Sequence, residues 1–240
     1  MTSAHQSKEA NPSNLLPVNL RVDGRNVLVT GGGKRALKEI SRFIDYGAKV
    51  EAIAPVFASE IEELKVSHAN RLTLTKREMG SRDFERIYSN HFFLVVTTGS
   101  DAQENEKILQ TAAEAKVLSA SEDFDAQCDI VFGQSVKRGH LKLAISTDGI
   151  SHALERALIG RLEGVLVNDI DSYVLFLNAL ADKLKKTAQD KAFSDEQKQG
   201  FLRELAESED IYRAVSRGNF EEARRLTDQI LSGTHEESAF

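Results

Sequence analysis

Short apolar runs alternate with stretches whose apolar residues recur every three or four positions, and this alternation organises the first half of the chain. Val27-Leu28-Val29 reads as a buried strand ending in Thr30-Gly31-Gly32-Gly33. Ala36, Leu37, Ile40, Phe43 and Ile44 then mark one face of a helix, which Gly47 stops. A second strand covers Val50–Ala54 and ends at Pro55, and Leu72 and Leu74 alternate with threonines in a third. Phe92–Val96 is a fourth, followed by a helix over Ala102–Ala115 and a strand over Lys116–Ala120. Strands alternating with helices predict βαβ units and a mainly parallel sheet with right-handed crossovers.

The pattern changes after Asp129. Ile130-Val131-Phe132 is strand-like, and Ser135–Lys137 and Leu141–Ile145 flank Arg138-Gly139 as a hairpin. From Ser151 the chain reads as helical. Ala153, Leu154, Ala157, Leu158 and Leu162 form one stripe, and Tyr173, Phe176, Leu177, Leu180 and Leu184 form another. Two shorter helices are expected around Glu196–Ala206 and Phe220–Leu231. Residues 1–14 are polar and aperiodic and read as a disordered tail, so the α/β region is expected over 15–132.

Composition narrows the function classes. No apolar run exceeds five residues, which argues against a membrane span of ~20. The opening residues lack the apolar core of a secretion signal, and Cys128 is the single cysteine. A cytoplasmic protein without disulfides is the expectation. A net charge of −6 disfavours nucleic-acid and anionic-membrane partners. Neither the six histidines nor Cys128 shows the spacing of a structural zinc site, and no metal site is expected.

Gly31-Gly32-Gly33-Lys34-Arg35-Ala36 fits G-x-G-x-x-A between a strand and a helix. Gly31 permits the tight turn, Gly33 lets backbone approach a pyrophosphate, and Ala36 allows close helix–strand packing. The phosphates would sit on amides at the positive end of the helix. The acid that would hold the adenosine ribose is missing at Ile53-Ala54-Pro55, and Glu51 lies inside its strand. NAD is favoured over NADP only weakly.

These residues carry a resemblance. LLPVNLRVDGRNVLVTGGGKRALKEISRFIDYGAKVEAIAP, FFLVVTTGSDAQEN, SASEDFDAQCDIVF and LKLAISTDGISHALERALIGRLE resemble, in order and spacing, the precorrin-2 dehydrogenase / sirohydrochlorin ferrochelatase family. The likeness covers about Leu15 to Glu163. It implies an α/β Rossmann-type parallel-sheet domain over 15–132, a dimerisation segment with a hairpin over 133–164, and a helical domain over 165–240. It also implies NAD-dependent oxidation of precorrin-2 to sirohydrochlorin by a homodimer. In some members, insertion of ferrous iron follows in the same site.

By the same resemblance Asp123 is the catalytic residue. Gly31, Gly32, Gly33, Lys34, Ala36, Thr97 and Thr98 are expected to hold the cofactor, and Ser146 and Thr147 the substrate. A tetrapyrrole bearing several carboxylates needs local basic groups, and Lys137, Arg138, His140 and Lys142 form the densest cluster. That cluster reads equally as a charged strand edge that resists aggregation. Thr147 reads equally as a turn residue. The chain departs from the family pattern at Arg35, Gly99-Ser100, Ala120, Gly133 and His152. Those departures motivate an alternative: a non-catalytic tetrapyrrole- or nucleotide-binding relative that has kept the fold.

Overall fold

The computed structural model describes residues 15–122, 128–148, 150–165, 170–187 and 194–237. They group into two compact units. One comprises the residues up to Gly133 together with Ser146–Ser151; the other comprises Gln134–Ile145 and the residues from His152 onward. The stretch 133–164, expected as one segment, thus contributes to both. Among the described residues, no helix is long and apolar enough to cross a membrane.

The first unit is a parallel five-stranded sheet in the order β3-β2-β1-β4-β5. Its strands are β1 (Asn26–Thr30), β2 (Lys49–Ala54), β3 (Leu72–Lys76), β4 (Leu94–Thr97) and β5 (Leu118–Ser121). Four helices alternate with them: α1 (Lys34–Asp45), α2 (Ser59–Ser67), α3 (Ser81–Tyr88) and α4 (Ala102–Ala115). Successive strand residues point to opposite faces, and both faces are covered. Val27, Val29, Ala52, Leu94 and Val96 pack with Ala36, Ile40, Phe43 and Ile44 of α1 and Ile61 of α2. Leu28, Ile53 and Val95 pack with Ile87 of α3 and Ile108 and Ala112 of α4. The chain reverses direction of winding between β1 and β4, so a crevice opens at the carboxyl ends of those two strands.

One expectation needs correcting here. Ile130–Phe132 does not form a strand; Ile130 makes a single parallel bridge to Ala120. The Asp129 carboxylate takes the Ser119 amide and hydroxyl, both at 2.9 Å, so side-chain bonding replaces the ladder. Phe132 instead packs edge-on to Phe43, 5.9 Å between ring centres, with the Arg42 guanidinium over its face.

The second unit begins with the antiparallel hairpin β6 (Gln134–Arg138) and β7 (Leu141–Ile145), turned at Gly139 with φ 54°. Helices α5 (His152–Val165), α6 (Ile170–Thr187), α7 (Asp195–Glu207), α8 (Glu209–Ser216) and α9 (Phe220–Glu237) follow. Where two helices were expected after α6, three are present. Ser208 separates α7 from α8 and accepts from the Ile211 amide, ending one helix and capping the next within a single residue. Tyr173, Phe201, Leu205, Ile211, Val215 and Ala223 form this unit's core, and the buried Tyr173 hydroxyl donates to the Leu205 carbonyl.

Candidate cofactor site at the carboxyl edge of the sheet

The glycine turn joins β1 to α1 at the crevice, and its three glycines have three different causes. Gly31 has φ 108°, and a Cβ there would fall 2.5 Å from Thr98 Oγ1. Gly32 lies against the chain leaving β2. A Cβ there would stand 1.9 Å from the Val56 carbonyl oxygen, and the Gly32 carbonyl accepts from the Ala58 amide. Both glycines are therefore required by the protein's own packing. Gly33 is not: its φ is −95°, and a Cβ there would meet nothing within 4 Å. The chain leaves open space where a ligand would approach backbone most closely.

Gly33 is also the N-cap of α1, with no side-chain cap and no acid in the helix's first turn. All the strands run parallel, so α2, α3 and α4 begin at the same edge, and each carries acid there. Glu60 and Glu62 lie in the first turn of α2, Asp83 in that of α3 and Glu104 in that of α4. Asp101 further caps α4, accepting from the amides of Gln103 and Glu104. The positive end of α1 alone among these four lacks a neutralising carboxylate, which suits an anion. Ala36 is fully buried against the sheet, while Lys34 and Arg35 are exposed on the first turn.

Across the crevice, Thr30, Thr97 and Ser121 stand in register on β1, β4 and β5. The Thr30 and Thr97 hydroxyls are buried without a hydrogen-bond partner. Thr98 behaves differently from the expectation. Its hydroxyl donates to the Thr30 carbonyl at 2.7 Å, and it is the group that excludes a side chain at Gly31. Thr98 shapes the turn, and the unspent hydroxyls belong to Thr30 and Thr97. An uncapped helix start, a glycine with open space above it and an orphaned buried hydroxyl together fit the pyrophosphate and ribose of a dinucleotide.

Glu51 is held away from any ribose. Arg86 of α3 grips its carboxylate with two hydrogen bonds, 2.7 and 2.6 Å. No acid ends β2, whose last residues are Ile53 and Ala54, both buried.

Asp123 lies outside the described residues. Its predecessor Glu122 is well placed: its amide donates to the Thr97 carbonyl at 3.1 Å, and its carboxylate pairs with Lys38 of α1. Beside that pair is Glu39, 1% exposed, with Arg42 at 2.8 Å and Lys38 at 3.6 Å. Burial pushes the Glu39 carboxyl above its usual range despite these cations, and the neighbouring Glu122 carboxylate adds to the shift. Neither Lys38 nor Glu39 was singled out from the sequence. Position 39 does fall within the apolar arc of Ala36, Ile40 and Phe43, which marks a buried charge.

The Ser146 and Thr147 hydroxyls both serve the turn before α5. Ser146 Oγ accepts from the Asp148 amide at 3.1 Å and Thr147 Oγ1 from the Ser151 amide at 2.9 Å. In the second unit the basic cluster is partitioned. The His140 amide and Nδ1 both bond the Asp171 carboxylate, at 2.6 and 2.8 Å, and Arg138 lies 3.9 Å from Glu163. The His140 amide, and then its ring, hold the Asp171 carboxyl below the usual carboxylate range. Lys137 and Lys142 pair across the hairpin, both exposed. His152 Nδ1 meets the fully buried Glu155 carboxylate at 2.9 Å.

Comparison with known proteins agrees with this geometry. A family model described as "Putative NAD(P)-binding" matches residues 18–134. The chain is 31% identical over 160 residues to a precorrin-2 dehydrogenase of Priestia megaterium, covering 67% of this chain and 75% of that one. It is 32% identical over 157 residues to a siroheme synthase of Buchnera aphidicola, covering 65% of this chain and 32% of that one. The match to a siroheme synthase of Neisseria meningitidis likewise covers 41% of that protein, so the chain spans less than half the length of such relatives. Among solved structures, one titled "SirC, precorrin-2 dehydrogenase" superposes with a TM-score of 0.67 over 91% of this chain and 100% of that one, at 24% identity, which is a likeness of fold. On the Priestia relative's identity and coverage, the chain belongs to the precorrin-2 dehydrogenase family, whose sequence also forms the matching part of siroheme synthases.

Proposed function

We propose that the protein oxidises precorrin-2 to sirohydrochlorin with NAD as acceptor. The observation that carries this reading is Gly33, where the fold leaves room for a ligand at the only helix start of the four that lacks an acid. Gly31, Gly32 and Thr98 build the turn, and Gly33, Lys34 and the amides above Ala36 would take the pyrophosphate. Thr97 would hydrogen-bond the ribose or nicotinamide end. When bound, NAD supplies the acceptor for the hydride. Asp123 takes the accompanying proton, since an ordinary aspartate is ionised at neutral pH. Asp123 follows β5 in the sequence, and the carboxyl ends of strands are where open α/β sheets bind their ligands.

Ser146 and Thr147 would orient the substrate through the turn they stabilise. Lys137, Arg138 and His140 would pair with its carboxylates. His140 would do so through Nε2, because Asp171 holds Nδ1. The same Asp123 carboxylate could accept the pyrrole protons that ferrous iron displaces, with iron as a second substrate. The reading includes a homodimer formed through the 133–164 segment and a cytoplasmic location.

Anaerobic incubation with precorrin-2 and NAD tests it. NADH and sirohydrochlorin are expected to appear in equal amounts, and Asp123→Asn should slow this by about 10²–10⁴-fold. Unchanged turnover in that variant would remove Asp123 from the chemistry. NAD binding without turnover would instead mark a relative that kept the fold and lost the reaction. Light scattering at twice the chain mass would support the dimer.

A further inference from the structure

We propose that Glu60, in the first turn of α2, is a specificity-determining residue that favours NAD over NADP by repelling a phosphate on the 2′-oxygen of the adenosine ribose. This rests on the cofactor site of the dehydrogenase reading above.

The chain leaving β2 is pressed onto the glycine turn. The Gly31 amide donates to the Ile53 carbonyl at 3.0 Å, and the Ala58 amide to the Gly32 carbonyl at 2.8 Å. Ala58 is the N-cap of α2, so Ser59 and Glu60 follow directly on a residue bonded to the turn that would hold the pyrophosphate. Both are exposed, as are Gly33 and Lys34. In dinucleotide-binding sheets a carboxylate at the end of the second strand holds the free 2′-hydroxyl of the adenosine ribose. Here β2 ends without an acid, and Arg86 grips Glu51. The first acid in the chain beyond β2 is Glu60.

The charges around Glu60 have partners of their own. Lys76 ends β3 beside Ala54, and its ammonium meets the Glu62 carboxylate at 2.6 Å. Glu60 accepts from the Ser59 hydroxyl at 3.1 Å. Its own backbone amide, then that hydroxyl, hold its carboxyl below the usual carboxylate range, and the Lys34 ammonium lowers it further. Glu60 is therefore ionised at neutral pH. Lys34 and Glu60 share one field, so a 2′-phosphate drawn by Lys34 meets the Glu60 carboxylate as well. A ribose with a free 2′-hydroxyl adds no charge there and can donate to that carboxylate. Rejection by like charge needs no close contact and acts through partial solvent, but salt screens it.

The test is calorimetric titration of the full chain with NAD and with NADP, for wild type and Glu60→Gln. Wild type is expected to bind NAD more tightly than NADP. Glu60→Gln should narrow the ratio of the two Kd values about tenfold, the scale of one like-charge pair in part-aqueous surroundings. Because Glu60 is exposed, the melting temperature should stay close to that of wild type. Raising salt from about 50 to 500 mM should narrow the wild-type ratio more than that of Glu60→Gln, a difference that a structural role for Glu60 would not produce. Equal affinities in wild type, or a ratio that Glu60→Gln leaves unchanged, overturn the proposal while NAD binding and the oxidation stand. Binding of neither nucleotide would remove the cofactor site itself, and the proposal with it.

Discussion

Helices α1 and α4 start at the same edge of the same sheet, one on each side of the crevice, and their first turns are built in opposite ways. The α4 start is self-sufficient: Asp101 accepts two of its amides. The α1 start has a glycine cap, no acid and open space over Gly33. α3 sides with α4, since Asp83 accepts from the Gly80 amide at 2.9 Å. A helix start left without a partner is costly unless water or a ligand satisfies it. The contrast singles out the α1 start as the one of these helix ends without a carboxylate of its own, the feature on which the proposed anion site rests.

The sharpest break of this comparison gives α1 what α4 already has. Gly33→Asp places a carboxylate at the α1 cap, where space for a side chain exists. Aspartate is a good cap, so the fold should keep its stability or gain slightly. Nucleotide should be excluded by both bulk and charge, with Kd for NAD rising at least a hundredfold, or about 2.7 kcal/mol. Calorimetric titration and thermal melting read the two effects separately. Retained affinity would move the pyrophosphate away from Gly33.

That much of the site was legible because glycine spacing is a local signal. Gly31, Gly33 and Ala36 announce their roles within six residues of sequence, and the strand-helix alternation places them. Contacts between distant segments were not legible. Nothing near His140 reveals that Asp171, 31 residues on, holds its ring. The grouping of Glu39 with Glu122 likewise depends on how α1 and β5 come together. Thr98 is expected among the cofactor residues through the family resemblance; only the structure shows its hydroxyl on the Thr30 carbonyl. Local pattern also fails where burial is slight. In α2 the only buried side chain is Ile61, so that helix leaves almost no periodic trace.

At α3 the acid can be removed instead of added. Asp83 is 1% exposed and accepts a forked pair of bonds from Arg77, one at 2.9 Å, as well as the Gly80 amide. Asp83→Ala is expected to cost about 2 kcal/mol, the scale of hydrogen bonds to a charged group; Arg77 is 45% exposed and can return to water. The pH dependence has a definite sign. Bonding by Arg77, more than burial opposes it, holds the Asp83 carboxyl below its usual range. A lowered folded-state pKa contributes stability that is complete above the unfolded value of about 3.9 and lost as pH falls through the folded value. Wild type should therefore lose stability below about pH 4 more steeply than Asp83→Ala. Parallel acid titrations that left the difference between the two proteins constant would show that Asp83 is not the group responsible.

The smallest effect is expected at α4 and completes the contrast. Asp101→Ala removes the acceptor for the Gln103 and Glu104 amides, which an N-cap loss prices at about 1 kcal/mol. Its first turn still carries the Glu104 side chain, an acid that the α1 first turn lacks. An anion would therefore find this uncapped start less welcoming than α1. Melting should fall by a few degrees while Kd for NAD stays within about twofold. If NAD affinity changed as much as in Gly33→Asp, the two helix starts would serve the nucleotide jointly, and the division between a reserved end and a self-sufficient one would not hold.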